Sequence, residues 1–161
     1  MENITYKRVS EVDREWVKSF TCKHWGSEKI VVHDTIYYPH ELDGFIAQSG
    51  SEKSGLITFI INNRSCEIVT LNSTIENKGI GSDLIRLVLE EAKGRKCDEL
   101  WLITSNDNIR AIGFYQKLGF RLIEVYPDAI AESRKIKPEI PMIAENGIPI
   151  RDELKFVLYL T

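Results

Sequence analysis

Two glycines lie one residue apart where a loop leads into a helical pattern. The segment reads ENKGIGSDLIRLVLEE, with Gly79 and Gly81 just before the helix. The free N–H groups and the dipole of a helix N-terminus attract anions, and glycine lets the backbone approach a phosphate closely. The chain lacks the Gly-Lys-Ser/Thr of a P-loop, and Leu84 stands where a dinucleotide-binding fingerprint needs its third glycine. The loop is therefore either another kind of phosphate site or a flexible helix start.

A second group of chemically useful residues follows downstream, in NDNIRAIGFYQKLGF. Together with the glycine loop, this segment resembles the GNAT superfamily of N-acetyltransferases. The motifs of that family are Q/R-x-x-G-x-G/A and, one strand later, N-x-x-A-x-x-x-Y-x-x-x-G-F. The second motif is matched at Asn108, Ala111, Tyr115, Gly119 and Phe120. The first motif departs at Glu76, where the family prefers Gln or Arg, so we expect this side chain to point to solvent.

The resemblance implies that acetyl-CoA is the cosubstrate and that no metal is needed. The implied cofactor contacts are Val69, Thr70, Leu71, Asn77, Lys78, Gly79, Ile80, Gly81, Ser82, Asn108 and Tyr115. The strand residues 69–71 would pair with the pantetheine arm through their backbone, and the N–H of Leu71 would hold the thioester oxygen. The loop amides from residue 77 to 82 would bind the pyrophosphate, helped by the Lys78 side chain and the Ser82 hydroxyl.

Acetyl transfer to an amine also needs a proton donor for the leaving thiolate and a route for the proton of the amine. The resemblance implies Tyr115 as the general acid, although its helical spacing also fits a core residue. Glu67 is a tentative base, with an exposed strand carboxylate as the alternative. His33, His40 or a water chain are other routes for the proton. Asn108 can also serve as a helix N-cap.

Periodicity predicts the elements that must position these groups. Strands are predicted at 4–9, 44–48, 56–61, 66–71, 100–103, 120–125 and 154–160, and helices at 11–24, 82–93 and 108–118. The first helix should bury Val12, Trp16, Val17 and Phe20, and the last should bury Ile109, Ile112, Tyr115 and Leu118. The stretch 25–40 stays unassigned, and the prolines of 129–153 predict a long irregular loop.

The fold class implied by the resemblance is α/β (α+β). It has a mixed, mostly antiparallel central sheet with a splayed strand pair and helices on both faces. We expect residues 1–161 to form a single domain, with a homodimer as one possibility. A cationic run at Arg134, Lys135 and Lys137 is either a receiver for a substrate carboxylate or phosphate, or a solvated face.

Composition excludes several classes of protein. The 161 residues carry a net charge of −3, which argues against a nucleic-acid partner, and no stretch reaches the roughly 18 apolar residues of a membrane span. Three widely spaced cysteines indicate free thiols and a cytoplasmic protein. The sequence therefore predicts an N-acetyltransferase acting on a small-molecule or peptide amine by direct attack. The alternative is an acyl-CoA-binding module without turnover.

Overall fold

The computed structural model describes residues 3–160. The strands are β1 (Ile4–Arg8), β2 (Ile30–Val32), β3 (Thr35–Tyr37), β4 (Asp43–Ser49), β5 (Glu52–Asn62), β6 (Ser65–Ser73), β7 (Glu99–Ser105), β8 (Arg121–Tyr126) and β9 (Glu153–Tyr159). The helices are α1 (Arg14–Trp25), α2 (Ile80–Gly94), α3 (Ile109–Lys117) and α4 (Ala129–Ile136). Two 3-10 turns, Glu11–Asp13 and Pro39–Glu41, complete the regular structure.

Seven strands form one sheet in the order β1-β4-β5-β6-β7-β9-β8, and β2 and β3 form a separate hairpin. Every pairing in the large sheet is antiparallel except that of β6 with β7. The meander of β4, β5 and β6 and the mostly antiparallel sheet are as predicted. The last strand, β9, inserts between β7 and β8, so both neighbours run antiparallel to it.

The parallel strands β6 and β7 stay together for three residue pairs and then separate. Their pairing ends at Glu67 and Trp101. Beyond that point β6 remains bonded to β5 as far as Ser73, and β7 remains bonded to β9 as far as Ser105. Between Ile68 and Thr70 the β5–β6 register shifts, which makes Val69 the extra residue of a bulge. Because a bulge bends and twists its strand, it directs β6 away from β7.

Helices cover both faces of the sheet, because neighbouring strand residues point to opposite sides. Ile46 and Leu56 pack in a buried cluster with Val17 and Phe20 of α1. Ala47 and Ile57, one residue further along each strand, belong to the larger cluster that contains α2 and α3. The buried residues of α2 include the predicted face of Leu84, Ile85, Val88 and Ala92.

The segment 129–153 is not irregular throughout. It begins with the two-turn helix Ala129–Ile136, which fits between Pro127 and Pro138. The prolines therefore limit the helix rather than prevent it, because a proline disfavours helical geometry in the residue before it.

Two predicted core residues are exposed. Val12 is 86% exposed because it lies in the 3-10 turn before α1 and so falls off the buried face of that helix. Ile109 is the first residue of α3 and is 55% exposed. The helical spacing thus predicts the start of α1 three residues too early and the start of α3 one residue too early.

A buried carboxylate ties the start of α1 to the sheet. Asp13 is 1% exposed and accepts hydrogen bonds from the Lys7 ammonium and from the Ser10 amide and hydroxyl, each at 2.9 Å. Lys53 of β5 lies 3.4 Å away. Burial opposes ionisation of Asp13, but the hydrogen bonds from Lys7 and Ser10 outweigh it and hold the pKa below its usual range.

We predict that Asp13→Asn lowers the free energy of unfolding by about 2 kcal/mol at neutral pH, because it removes the partner of two lysines. A carboxyl with a depressed folded-state pKa stabilises the fold above its unfolded pKa, near 4, and loses that effect as pH falls towards the folded value. Urea unfolding at pH 7 and pH 3 should therefore show a smaller difference at pH 3. The control, Asp98→Asn, breaks an exposed pair with Arg64 and should have little effect. Equal losses in both variants would contradict the assignment.

Candidate active site

A cavity of about 530 Å³ opens where β6 and β7 separate. Val69 of β6 and Ile103 to Ser105 of β7 line one side, together with Asn108 at the start of α3. The other walls come from the end of α1, strand β2, Ile130 of α4, the loop that follows α4, and Glu153 of β9. The structure therefore brings two sequence-predicted contact residues, Val69 and Asn108, into one cavity.

Glu67 lies at the point where the two strands begin to separate, opposite Trp101 in the last parallel pair. It is 5% exposed, so it is not an exposed strand carboxylate. Tyr37 donates a hydrogen bond of 2.7 Å to its Oε1. Burial raises the pKa of Glu67, although the bond from Tyr37 and the charge of Lys155 act in the opposite direction. Glu67 is not among the residues that line the cavity, but it is a desolvated carboxylate two residues before Val69, and it accepts a proton more readily than an exposed one.

The hairpin β2–β3 is fastened to the sheet by a second buried glutamate. Glu153 is 3% exposed, and its Oε2 accepts a bond of 3.0 Å from the His33 amide. The His33 ring lies 3.4 Å from the other carboxylate oxygen and packs against Tyr126. His40 lies elsewhere, in an edge contact with Tyr38. The hairpin contacts at Tyr37 and Glu153 were missed from the sequence, because local patterns do not show which strand a hairpin covers.

Tyr115 lies on α3 and packs in the hydrophobic core. It is 8% exposed, and its ring lies 5.4 Å from Phe114, 5.7 Å from Phe120 and 6.1 Å from Phe156. Burial raises the pKa of its hydroxyl to about 12, so the phenol is protonated at neutral pH. Tyr115 is not among the residues that line the cavity. The core interpretation of its spacing is therefore correct, and its acid role stays a prediction.

The glycine loop ends at α2 beside α3. Gly79 occupies the N-cap with φ +72°, and Asn77 also has a positive φ of 61°. At Gly81 the helix lies close to α3, because a Cβ there would be 3.2 Å from the Phe114 ring, which would have to shift slightly. Glu76 is exposed, as predicted, and accepts a 3.0 Å bond from Arg110 of α3. Arg110 thus offsets the negative charge of Glu76, which stands where the family motif has Gln or Arg.

The other predicted contact residues are spread around this region. Asn108 occupies the N-cap position of α3 without a side-chain cap bond, and its amide instead donates to Thr104 Oγ1 at 3.2 Å. The Thr70 hydroxyl bonds to the Thr58 hydroxyl at 2.6 Å, so it is already satisfied by a neighbouring strand. Leu71 pairs with Ile57 of β5. Thr70 and Leu71 would therefore contact a ligand through their backbone.

In the cationic run at the end of α4, Arg134 and Lys137 bond to backbone carbonyls, whereas Lys135 is exposed on the solvated face. Arg134 donates to the carbonyls of Ile140, Pro141 and Ile150, at 3.2, 2.6 and 2.6 Å. Lys137 is 5% exposed and donates to two further carbonyls, while Lys135 pairs with a neighbouring glutamate on α4. Arg134 and Lys137 thus fasten the loop 137–150 to the rest of the molecule.

Residues 3–160 contain neither a metal-binding cluster nor a membrane-spanning helix. No set of three or more His, Cys, Asp or Glu side chains there is placed to hold a metal ion. In the same range, none of the helices has the length and apolar content needed to span a membrane.

The fold is that of several acetyltransferases of known structure. An IAA acetyltransferase from Bacillus cereus superposes with a TM-score of 0.78 at 24% identity, covering 98% of this chain and 100% of that one. A Bacillus subtilis acetyltransferase in complex with CoA superposes with a TM-score of 0.67 at 21% identity, covering 100% of both chains. These similarities define the chain as having a GNAT-like fold.

Sequence comparison assigns the family. The model of the acetyltransferase (GNAT) family matches residues 10–120, well over half of the chain, and the protein therefore belongs to that family. The uncharacterized protein YdhI of Bacillus subtilis is 47% identical over 148 residues, covering 91% of this chain and 92% of YdhI. The uncharacterized N-acetyltransferase YvbK of the same organism is 29% identical over 119 residues, covering 72% and 74%.

We predict that Glu67→Gln leaves the protein as stable as the wild type or more stable at pH 7, while kcat/KM falls about tenfold or more. A carboxyl whose folded-state pKa is raised stabilises the fold below its unfolded pKa and loses that contribution as pH rises through the folded value. Any gain of the variant should therefore disappear below about pH 4.

Thermal unfolding at several pH values, with thiol release as the activity readout, checks this prediction. Tyr37→Phe is the matched control, because it keeps the carboxylate and removes its donor, and it should destabilise the fold by about 1–2 kcal/mol. A Glu67→Gln variant clearly less stable than wild type at pH 7 would show that the carboxylate serves structure instead.

Proposed function

We propose that this protein is an N-acetyltransferase that transfers the acetyl group of acetyl-CoA to a primary amine by direct attack. The observation that carries the proposal is the separation of β6 and β7 beside the glycine-opened helix α2, with a buried carboxylate where the strands part. In the reaction the amine nitrogen forms a bond to the thioester carbonyl carbon and the C–S bond breaks. The amine loses one proton, and the CoA thiolate gains one.

The pantetheine arm would occupy the gap between the strands. After the last β6–β7 pair, the edges of β6 and β7 that face each other no longer pair together. Unpaired strand edges bind extended ligands through backbone hydrogen bonds, as a further strand would. The backbone of Val69, Thr70 and Leu71 would hold the arm, and the N–H of Leu71 would hold the thioester oxygen.

The pyrophosphate would lie at the start of α2. The first amides of a helix lack intrahelical partners, and those of Ile80, Gly81 and Ser82 belong to the first turn of α2. Asn77, Lys78 and Gly79 are exposed beside them. Their backbone amides would also bind the pyrophosphate, together with the Lys78 side chain and the Ser82 hydroxyl. Glu76, held by Arg110, would face away from the phosphates.

Proton transfer would use Glu67 and Tyr115. The buried Glu67 carboxylate, positioned by Tyr37, would accept the amine proton directly or through water. Tyr115, protonated at neutral pH, would donate to the thiolate. For this transfer the Tyr115 hydroxyl must reach the sulfur of the bound cofactor. Helix α3, which carries Tyr115, begins beside the cavity at Asn108, and Asn108 would contact the pantetheine arm.

An acyl-CoA-binding module without turnover is the second candidate. It would need the strand gap and the glycine loop, but it would have no use for a desolvated carboxylate at the point of strand separation. Burying an ionisable group costs stability unless it is fully paired. The burial of Glu67 therefore favours an enzyme over a module that only binds.

We predict that Gly81→Asp weakens acetyl-CoA binding by at least about tenfold, because it places a negative charge beside the phosphates. Gly81→Ala is the matched control, since it introduces the same Cβ contact with Phe114 without the charge. Isothermal titration calorimetry measures both affinities. Equal affinities for the Asp and Ala variants would place the pyrophosphate elsewhere.

We predict that Tyr115→Phe lowers kcat by about a hundredfold without changing acetyl-CoA affinity, because phenylalanine keeps the packing and removes the proton donor. Thiol release across a panel of primary amines measures the rate, and Tyr159→Phe, which changes an exposed tyrosine at the end of β9, is the control. Equal rates in wild type and Tyr115→Phe would exclude Tyr115 as the acid. If wild type binds acetyl-CoA but releases no thiol above the hydrolytic background with any amine, the binding module is the correct function.

A further inference from the structure

The walls of the cavity on the side of α1 and α4 are mostly apolar. They include Ile30, Val32, Ile130, Ile140 and Ile150. A volume of about 530 Å³ is in the range of pockets that enclose small molecules. The same cavity reaches Val69 and Ile103, where the strands separate. A small molecule in this space would have an apolar environment close to the site proposed for the thioester.

The charged groups of the lining offer no receiver for an anion. Lys137 is the lysine of the lining, and its ammonium donates to the carbonyls of Trp25 and Lys29 at 2.9 and 3.0 Å. Burial, and then the neighbouring Lys23, lower the pKa of His24. Two glutamates, Glu139 and Glu153, oppose the single lysine of the lining. A substrate carboxylate or phosphate here would lose its hydration and meet a net negative wall.

The histidine of the lining, His24, packs its ring against Phe20, with 4.2 Å between the ring centroids. The Nε2 of His24 is buried and makes no hydrogen bond to residues 3–160. Because burial lowers the pKa of His24 and favours its neutral form, His24 adds no positive charge that would attract an anion.

We propose that the acceptor is a small amine with an apolar body and without a carboxylate or phosphate group, bound in the part of this cavity between α1, β2 and α4, with the gap between β6 and β7 left to the pantetheine arm. The proposal rests on the proposed function for the catalytic step, but the binding preference can be measured separately. The amine end would point towards the strand separation and Glu67, and the apolar body would contact the isoleucines of the walls. Amino acids and phosphorylated amines would be excluded by the cost of desolvating their anionic group.

The test uses three ligands that share one aromatic body. Phenethylamine has no anionic group, phenylalanine adds a carboxylate, and phenylalaninamide adds a neutral group of nearly the same size. Calorimetry on the protein saturated with CoA should show phenethylamine and phenylalaninamide binding at least about tenfold more tightly than phenylalanine. Thiol release with acetyl-CoA should follow the same order in kcat/KM. Phenylalanine binding as tightly as phenethylamine, phenylalaninamide as weak as phenylalanine, or no binding of phenethylamine would each overturn the proposal.

A charge variant tests the role of the wall directly. Glu139 lines the cavity and is exposed, so Glu139→Lys reverses a lining charge without burying it. We expect it to reduce the preference for phenethylamine over phenylalanine by about threefold or more. Glu145→Lys makes the same charge change on the same loop outside the lining and should leave the preference unchanged. An equal effect of both variants, or none from Glu139→Lys, would show that the wall charge does not select the acceptor.

The binding and thiol-release measurements distinguish failure of the proposed transferase activity from failure of the proposed acceptor class. Selective binding of phenethylamine without thiol release from acetyl-CoA would support the cavity preference and count against the transferase. Thiol release without discrimination between phenethylamine and phenylalanine would support the transferase and overturn the acceptor class.

Discussion

The early end of the pairing between β6 and β7 is the constraint on which the rest of the site depends. Each strand keeps its outer partner, β5 or β9, so the gap opens without loss of the sheet on either side. The bulge at Val69 supplies the bend, two residues after the last parallel pair at Glu67. A regular strand at this position would continue the ladder and close the cavity, and the exposed backbone edges would not exist.

The cavity is enclosed by elements that are fastened to it through polar bonds. The β2–β3 hairpin is held by Tyr37 on Glu67 and by His33 on Glu153. The loop after α4 is held by Arg134 and Lys137 through backbone carbonyls. These bonds consume the cationic groups and leave carboxylates near the cavity. The same contacts that stabilise the walls therefore set the charge that an acceptor meets.

Part of the site could be predicted from the sequence because its residues lie in two short segments. The glycine loop and the segment containing Asn108 and Tyr115 each occupy one helix start, so local spacing suffices to identify them. Tyr37, Arg110 and Glu153 could not be found in this way. Each acts on a residue 30 or more positions away, through contacts that depend on how the hairpin and α3 pack. The contact of Gly81 with Phe114 has the same origin.

The sequence by itself determined the meander of β4 to β6, the helices α1 to α3 and the family resemblance, because hydrophobic periodicity and motif spacing are local properties. It did not determine the insertion of β9 between β7 and β8, the burial of Glu67 or the use of Arg134 and Lys137 as loop anchors. Only the tertiary structure decided these, since each depends on which distant backbone or side chain comes within hydrogen-bond reach. Glu67 shows the difference most clearly. The alternating pattern of β6 does not show which face of the sheet Glu67 occupies. Only the β2–β3 hairpin, which covers Glu67, makes it a desolvated carboxylate.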